Sequence, residues 1–134
     1  MKLAQLANAV HKLREGLDRH LANPEDEQLR DGLVQRFEFT YELSHKLLRR
    51  HLELTLPSDD LISMADFSTL IRIGCEQGLL RSEWARWKQW RSMRGKTSHM
   101  YDEDAAREVV EGIPGFLSEA EALLAALSER HPRG

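Results

Sequence analysis

The segment from about Glu25 to Leu54 constrains this chain most. It reads as one long helix whose apolar residues will not fit on a single stripe. At about 100° per residue, Leu33, Phe37, Tyr41, Leu48 and Leu52 gather on one side, and Phe39, Leu43, Leu47 and Leu54 on a neighbouring side. Together they cover more than the roughly 100° arc that packs a surface helix on one core. Such a helix sits at the centre of a bundle and also faces a second subunit.

The rest of the chain supplies partners of the same kind. Leu3, Leu6, Val10, Leu13, Leu17 and Leu21 recur at steps of three and four, and Asn23-Pro24 ends that helix. The stretch 55–65, with Pro57 and Asp59-Asp60, reads as the longest loop. A shorter helix is expected from about Asp66 to Gln77, closed by Gly78. Ser82 is placed to cap the next helix and Gly95 to end it. Asp102 caps the last helix, with Glu103 and Asp104 favouring its positive end. Pro114 is expected to kink or briefly break that helix. No stretch alternates like a strand. The expected fold is all-α: a single domain over 1–134, an up-and-down bundle of four main helices plus a short one.

Composition narrows the function classes. The net charge of −3 argues against bulk attraction to nucleic acid or an anionic membrane, so an anion site has to be local. The single cysteine, Cys75, cannot form an internal disulfide, and no cysteine cluster points to zinc. Charged residues interrupt the N-terminal helix before a membrane span or leader could form. A cytoplasmic protein with no metal or cofactor of its own is the expectation.

One local anion site is visible. Between Arg81 and His99, six basic residues (Arg81, Arg86, Lys88, Arg91, Arg94, Lys96) face one acid, Glu83. Trp84, Trp87 and Trp90 are interleaved at steps of three. Aromatics among cations can hold single-stranded nucleic acid; the same spacing is that of a core-facing helix, and packing is the main role expected of the tryptophans. Arg94 falls near the angle of Trp87 and Trp90, with Arg91 close to the same stripe. An arginine there needs a carboxylate or a phosphate.

His99 follows Arg94 by five positions, about 140° away on an unbroken helix. Gly95 would let the chain turn and bring the two together. Arginine holds a phosphate with parallel donors, and histidine exchanges protons near neutrality. The pair suits cleavage of an RNA phosphodiester, and Tyr101 lies two residues on. Capping or backbone bonding by His99 is the structural alternative.

The stretch RGKTSHMY (94–101) matches the Arg-x4-His-x-Tyr pattern of HEPN-domain proteins of the HepT toxin type. LRDGLVQRFEFTYELSHKLL (29–48) resembles the second helix of the related nucleotidyltransferase substrate-binding proteins, and TSHMYDEDAARE the entry to their last helix. The similarity spans roughly residues 25 to 125. It implies a HEPN-like four-helix bundle that forms a homodimer, two motifs sharing one cleft, and RNA cleavage without metal. It also implies a partner: a minimal nucleotidyltransferase antitoxin that uses ATP and magnesium to attach AMP to the motif tyrosine. Carried over, Arg94 binds phosphate, His99 is acid or base, and Tyr101 is modified. Glu42 and Lys46 match a Glu-x3-Lys pair of these domains, one turn apart, and a plain surface ion pair also explains them. Arg36 is expected near the interface in a pairing role. Gly95 stands where relatives often carry asparagine, and His45 where they often carry an aromatic. The alternative within the same resemblance is a non-catalytic subunit that presents substrate to a nucleotidyltransferase.

Overall fold

The computed structural model describes residues 1–56 and 65–133. Among the described residues five α-helices follow in order: α1 (Ala4–Ala22), α2 (Glu27–Thr55), α3 (Phe67–Glu76), α4 (Trp84–Lys96) and α5 (Glu103–Arg130), with a 3-10 turn at Thr97–His99 between the last two. No strand occurs among the described residues. The expected loop over 55–65 lies mostly at 57–64, outside the described residues.

Helix α2 is central, as its two arcs require. Leu33, Phe37, Tyr41, Leu48 and Leu52 are all buried, and so are Leu43 and Leu47 on the second arc. Phe39, at the edge of that second arc, and Leu54, in the last turn of the helix, stay 58% and 52% exposed. They are apolar surface that this chain alone does not cover. Leu21 is a correction to the α1 stripe: it is 63% exposed, because the helix reaches its last turn there and rises off the core.

Aromatic rings from four helices form the middle of the core. Phe37 meets Phe116 edge-on at 5.1 Å, and Trp87 meets Trp90 edge-on at 5.1 Å. Tyr41 contacts Phe67, Trp87 and Phe116. Such T-shaped pairs place ring edges on ring faces. Trp87 and Trp90 are packing residues; Trp84, on the outer flank, is half-buried.

Three helix ends follow from side chains. Asp26 and Asp66 cap α2 and α3 by accepting from Leu29 N at 3.1 Å and Thr69 N at 2.8 Å. Gly78, at φ 75°, closes α3: its N–H bonds to Cys75 O, and Leu79 N–H reaches back to Gly74 O. That is the Schellman pair, and the left-handed residue in it favours glycine.

Three expected boundaries are corrected. Ser82 does not cap α4; Glu83 precedes that helix, with no side-chain cap. The backbone N–H groups of Arg81 and Ser82 instead donate to Glu119 of α5, both at 2.8 Å. Gly95 does not end α4, which runs to Lys96 before tightening into the 3-10 turn. Pro114 does not break α5. Its neighbours Ile113, Phe116 and Leu117 are fully buried, and that burial outweighs one lost backbone bond. The flanking glycines have a packing role: a Cβ at Gly112 would overlap Met93 Sδ, and one at Gly115 would overlap the Arg86 guanidinium. Helices α4 and α5 thus approach closely beneath the motif.

Candidate functional site

Arg94 lies in the last turn of α4, on the flank that faces α2. There it meets two carboxylates spaced one turn apart. Its Nε donates to Glu42 Oε1 at 2.8 Å, and its Nη1 lies 3.3 Å from Glu38 Oε2. The same Nη1 donates to Thr97 Oγ1 at 3.0 Å, and the Thr97 hydroxyl donates to Arg94 O at 2.8 Å. The buried Thr97 therefore sets both the guanidinium and the turn that follows it. Nε and Nη1 hold the guanidinium in place, and no hydrogen bond engages Nη2 among the described residues.

His99 ends the 3-10 turn. Its carbonyl accepts Asp102 N–H at 3.0 Å, and Asp102 in turn caps α5 through Asp104 N and Ala105 N. The motif is thus fastened at Thr97 and again at Asp102. Gly95 plays no part in that turn; its φ is not left-handed, and a Cβ there would meet nothing within 4 Å. The His99 ring is exposed. Its Nδ1 lies 3.3 Å from the Tyr101 hydroxyl, and the two rings meet edge-on at 5.9 Å. Tyr101 is 84% exposed, an unusual position for an aromatic, and its hydroxyl is open to solvent.

The other sequence candidates separate. Glu42 belongs to the site as the partner of Arg94. Among the described residues it pairs with Arg94 across the groove at 2.8 Å and not along the helix with Lys46. Arg36 takes a pairing role and lies apart from the Arg94 site. Its Nη1 donates to Lys12 O at 2.7 Å and lies 3.9 Å from Glu15, so it ties α2 to α1, and it lines a shallow pocket together with Phe39. Arg91 lies over the Phe67 ring at 5.9 Å, one turn before Arg94 and beside the groove. His45 stacks on the same Phe67 ring at 4.2 Å, a packing role. Burial holds its pKa below the usual imidazole value, with Arg49 and Arg91 adding to that and Glu42 offsetting it. Burial likewise pushes Tyr41 up to about 12, against the pull of Arg91 and Arg94.

Sequence reasoning missed Glu38, Thr97 and Glu119. Glu38 carried a signal, standing four residues before Glu42 and so on the same face of α2. Thr97 and Glu119 carried none that spacing exposes. Among the described residues, no group of three or more His, Cys, Asp or Glu gathers as metal ligands would. Cys75 donates its thiol to Ser82 O at 3.3 Å, and burial pushes its pKa up, so it has the character of a packed thiol.

Residues 1–129 match the model of the family described as nucleotidyltransferase substrate binding protein like. The chain belongs to the HepT and nucleotidyltransferase substrate-binding family. A Haemophilus influenzae relative named probable ribonuclease HepT is 37% identical over 100 residues, covering 75% of this chain and 68% of that protein. A solved Haemophilus influenzae structure, described as revealing the fold of a substrate binding domain of a nucleotidyltransferase, superposes with a TM-score of 0.82. It is 32% identical, and the match covers 92% of this chain and 97% of that one. The helical bundle expected from the sequence is the fold of this family. Among the described residues no helix is long and apolar enough to cross a membrane.

Proposed function

We propose that this chain is a HEPN ribonuclease toxin, cleaving RNA with Arg94 and His99 and silenced when a partner nucleotidyltransferase attaches AMP to Tyr101. The observation that carries the reading is the arrangement of RGKTSHMY: a guanidinium braced through Nε and Nη1, an exposed imidazole, and a tyrosine hydroxyl 3.3 Å from that imidazole. The relative named probable ribonuclease HepT supports it.

In this reading the RNA 2′-oxygen attacks phosphorus and the bond from phosphorus to the 5′-oxygen breaks. A base takes the 2′-hydroxyl proton, and an acid returns one to the 5′-oxygen, leaving a 2′,3′-cyclic phosphate and a 5′-hydroxyl. Arg94 Nη2 holds the phosphate as negative charge builds on its oxygens. One His99 is the base and the His99 of a second copy is the acid, in a homodimer built over the exposed Phe39 and Leu54. A protein with these groups needs no metal for the step.

The off-switch follows from the 3.3 Å contact. In the partner's active site the Tyr101 oxygen attacks the α-phosphorus of ATP, pyrophosphate leaves, and the phenolic proton passes to solvent. The new phosphodiester stands where the His99 ring bonded the hydroxyl, and its negative charge is within reach of the arginine-bearing cleft.

The test is cleavage of a fluorescent single-stranded RNA by the purified chain, with product ends identified by mass. His99→Ala is expected to lower the rate at least about a hundredfold. Intact mass after incubation with the partner, ATP and magnesium is expected to rise in AMP steps, and not with Tyr101→Phe. An inert parent chain, or an unaffected His99→Ala variant, overturns the ribonuclease reading.

A second reading, the substrate-binding subunit, is favoured by one observation: Glu38 and Glu42 already balance the charge of Arg94. A stable complex with the nucleotidyltransferase, with neither added mass nor RNA cleavage, selects it.

A further inference from the structure

Of the six cations in the basic run of 81–99, several are already engaged. Arg94 is held by Glu38 and Glu42, Lys96 pairs with Glu108, and Arg86 lies over Trp90 at 5.4 Å. Lys88 and Arg91 are exposed and have no carboxylate partner among the described residues, though Arg91 also lies over the Phe67 ring at 5.9 Å. Stepping along α4 by four, three and four, Trp84, Lys88, Arg91 and Gly95 fall on one exposed stripe beside the α2 flank. The stripe runs straight to the turn that carries His99.

Gly95 is the second, independent observation. Glycine costs up to about 1 kcal/mol relative to alanine in a helix interior, and Gly95 lies in the last turn of α4. The fold gives no return for it: φ is ordinary and a Cβ would meet open space. A missing side chain on an exposed helix face leaves room for something to approach the backbone closely.

The other end of the stripe is aromatic. Trp84 is half-buried, edge-on to Phe67 at 5.8 Å, and walls a concavity of about 550 Å³. Arg72, Glu76 and Glu83 line that concavity, with Arg72 3.9 Å from Glu76. The carboxylates accept N–H groups, which suits nucleobases.

We infer that the stripe Trp84–Lys88–Arg91–Gly95 is a binding track for single-stranded RNA, leading the strand from a base-holding concavity at Trp84 across two phosphate-pairing cations to the Arg94–His99 site. The inference rests on the ribonuclease reading. Lys88 and Arg91 pair with successive phosphates, Gly95 admits the sugar-phosphate backbone against the helix, and Trp84 offers a ring to a base. Along Lys88, Arg91 and Gly95 the pairing is to phosphate, so any base preference is confined to the Trp84 concavity.

The test measures binding of a fluorescein-labelled 12-nucleotide oligouridylate to the full chain carrying His99→Ala, by anisotropy over a range of salt. Adding Lys88→Gln with Arg91→Gln is expected to raise Kd at least about tenfold at about 0.1 M salt. It should also flatten the slope of log K against log salt by about 1.4, since a single-strand phosphate contact contributes about 0.7. Gly95→Leu is expected to raise Kd severalfold while leaving the melting temperature unchanged or higher. Variants that bind within twofold of the parent overturn the track, as does a parent with no measurable binding. If Gly95→Leu lowers the molar mass by light scattering while the double variant keeps the parent Kd, a second copy covers the stripe and the inference falls. Cleavage of the same 12-mer by the chain with His99 intact separates the two readings. Cleavage with unaltered Kd in the variants sinks the track alone, whereas no cleavage sinks the ribonuclease reading.

Discussion

Removing the Glu119 carboxylate tests how the bundle holds its site. Glu119 is 3% exposed and lies on α5, yet both its oxygens accept backbone N–H groups of the turn before α4, from Arg81 and Ser82 at 2.8 Å. Those two N–H groups precede a helix that has no side-chain cap of its own. In Glu119→Ala both donors lose their acceptor where water reaches only in part. Stranding a polar group costs about 1–3 kcal/mol, and bonds to an ionised acceptor lie at the upper end. Partial rehydration of the turn offsets some of this, so a loss of about 3 kcal/mol is expected. For a chain of this size that is about 8–12 °C in melting temperature. Glu119→Gln keeps one acceptor oxygen but aims an NH2 at the second donor, and should lose about 2 kcal/mol. Urea unfolding at pH 7 gives both numbers, and amide exchange at Ser82 should quicken most. An alanine variant within 0.5 kcal/mol of the parent would refute the argument that this carboxylate, and not Ser82, anchors the start of α4.

Four further outcomes follow from the same geometry. Arg94→Ala should cost only about 1 kcal/mol in urea, because the guanidinium and its two carboxylates are all partly solvated, while RNA cleavage falls at least about a hundredfold; a large stability loss with cleavage intact would make the arginine a structural residue. The chain has two tyrosines, and burial pushes Tyr41 up to about 12. The fold therefore favours its neutral form: this contribution is full below pH 10 and is lost as pH rises from about 10 toward 12, because the unfolded chain ionises first. An ultraviolet titration should show one tyrosine still protonated at pH 11. His51 is buried, its Nδ1 is 2.7 Å from His131 Nε2, and burial, then His131 and Arg130, hold its pKa below the usual value. The unfolded chain then takes the proton first, so stability is full above about pH 6.5 and declines as the medium is acidified; urea midpoints at pH 7 and 5 should differ less in His51→Gln than in the parent. In the proposed homodimer, Phe39→Lys should shift the chain toward monomer by light scattering without lowering its melting temperature, since Phe39 is exposed within one copy.

The helical periodicity was enough for the bundle. Leu33, Phe37 and Leu52 on one arc of α2 and Leu43 and Leu47 on the other are buried as the pattern requires. Asp102 caps α5, and Gly78 closes α3. The readings that failed share a feature. Ser82, Gly95 and Pro114 were judged by what those residues prefer locally; for Ser82 and Pro114 a neighbouring helix decided otherwise, and at Gly95 the helix runs one residue further into the 3-10 turn. Preference is worth about 1–3 kcal/mol per residue, less than the burial of Ile113, Phe116 and Leu117 around Pro114.

The site divides in the same way. Arg94, His99 and Tyr101 stood out in the sequence because they lie within eight residues on one short segment, where spacing limits what they can reach. By itself the sequence determined the helices, the central place of α2 and the membership of that triplet in one motif. Only the tertiary structure decided what surrounds it: Glu38 and Glu42 against Arg94, Glu119 under the start of α4, and Arg36 turned toward α1. Periodicity reports which face of a helix is apolar, and a face says nothing of which distant helix will lie across it or at what height. Those partners are set by how α2, α4 and α5 cross, which depends on close approaches such as Gly112 at Met93 and Gly115 at Arg86 that no single helix encodes.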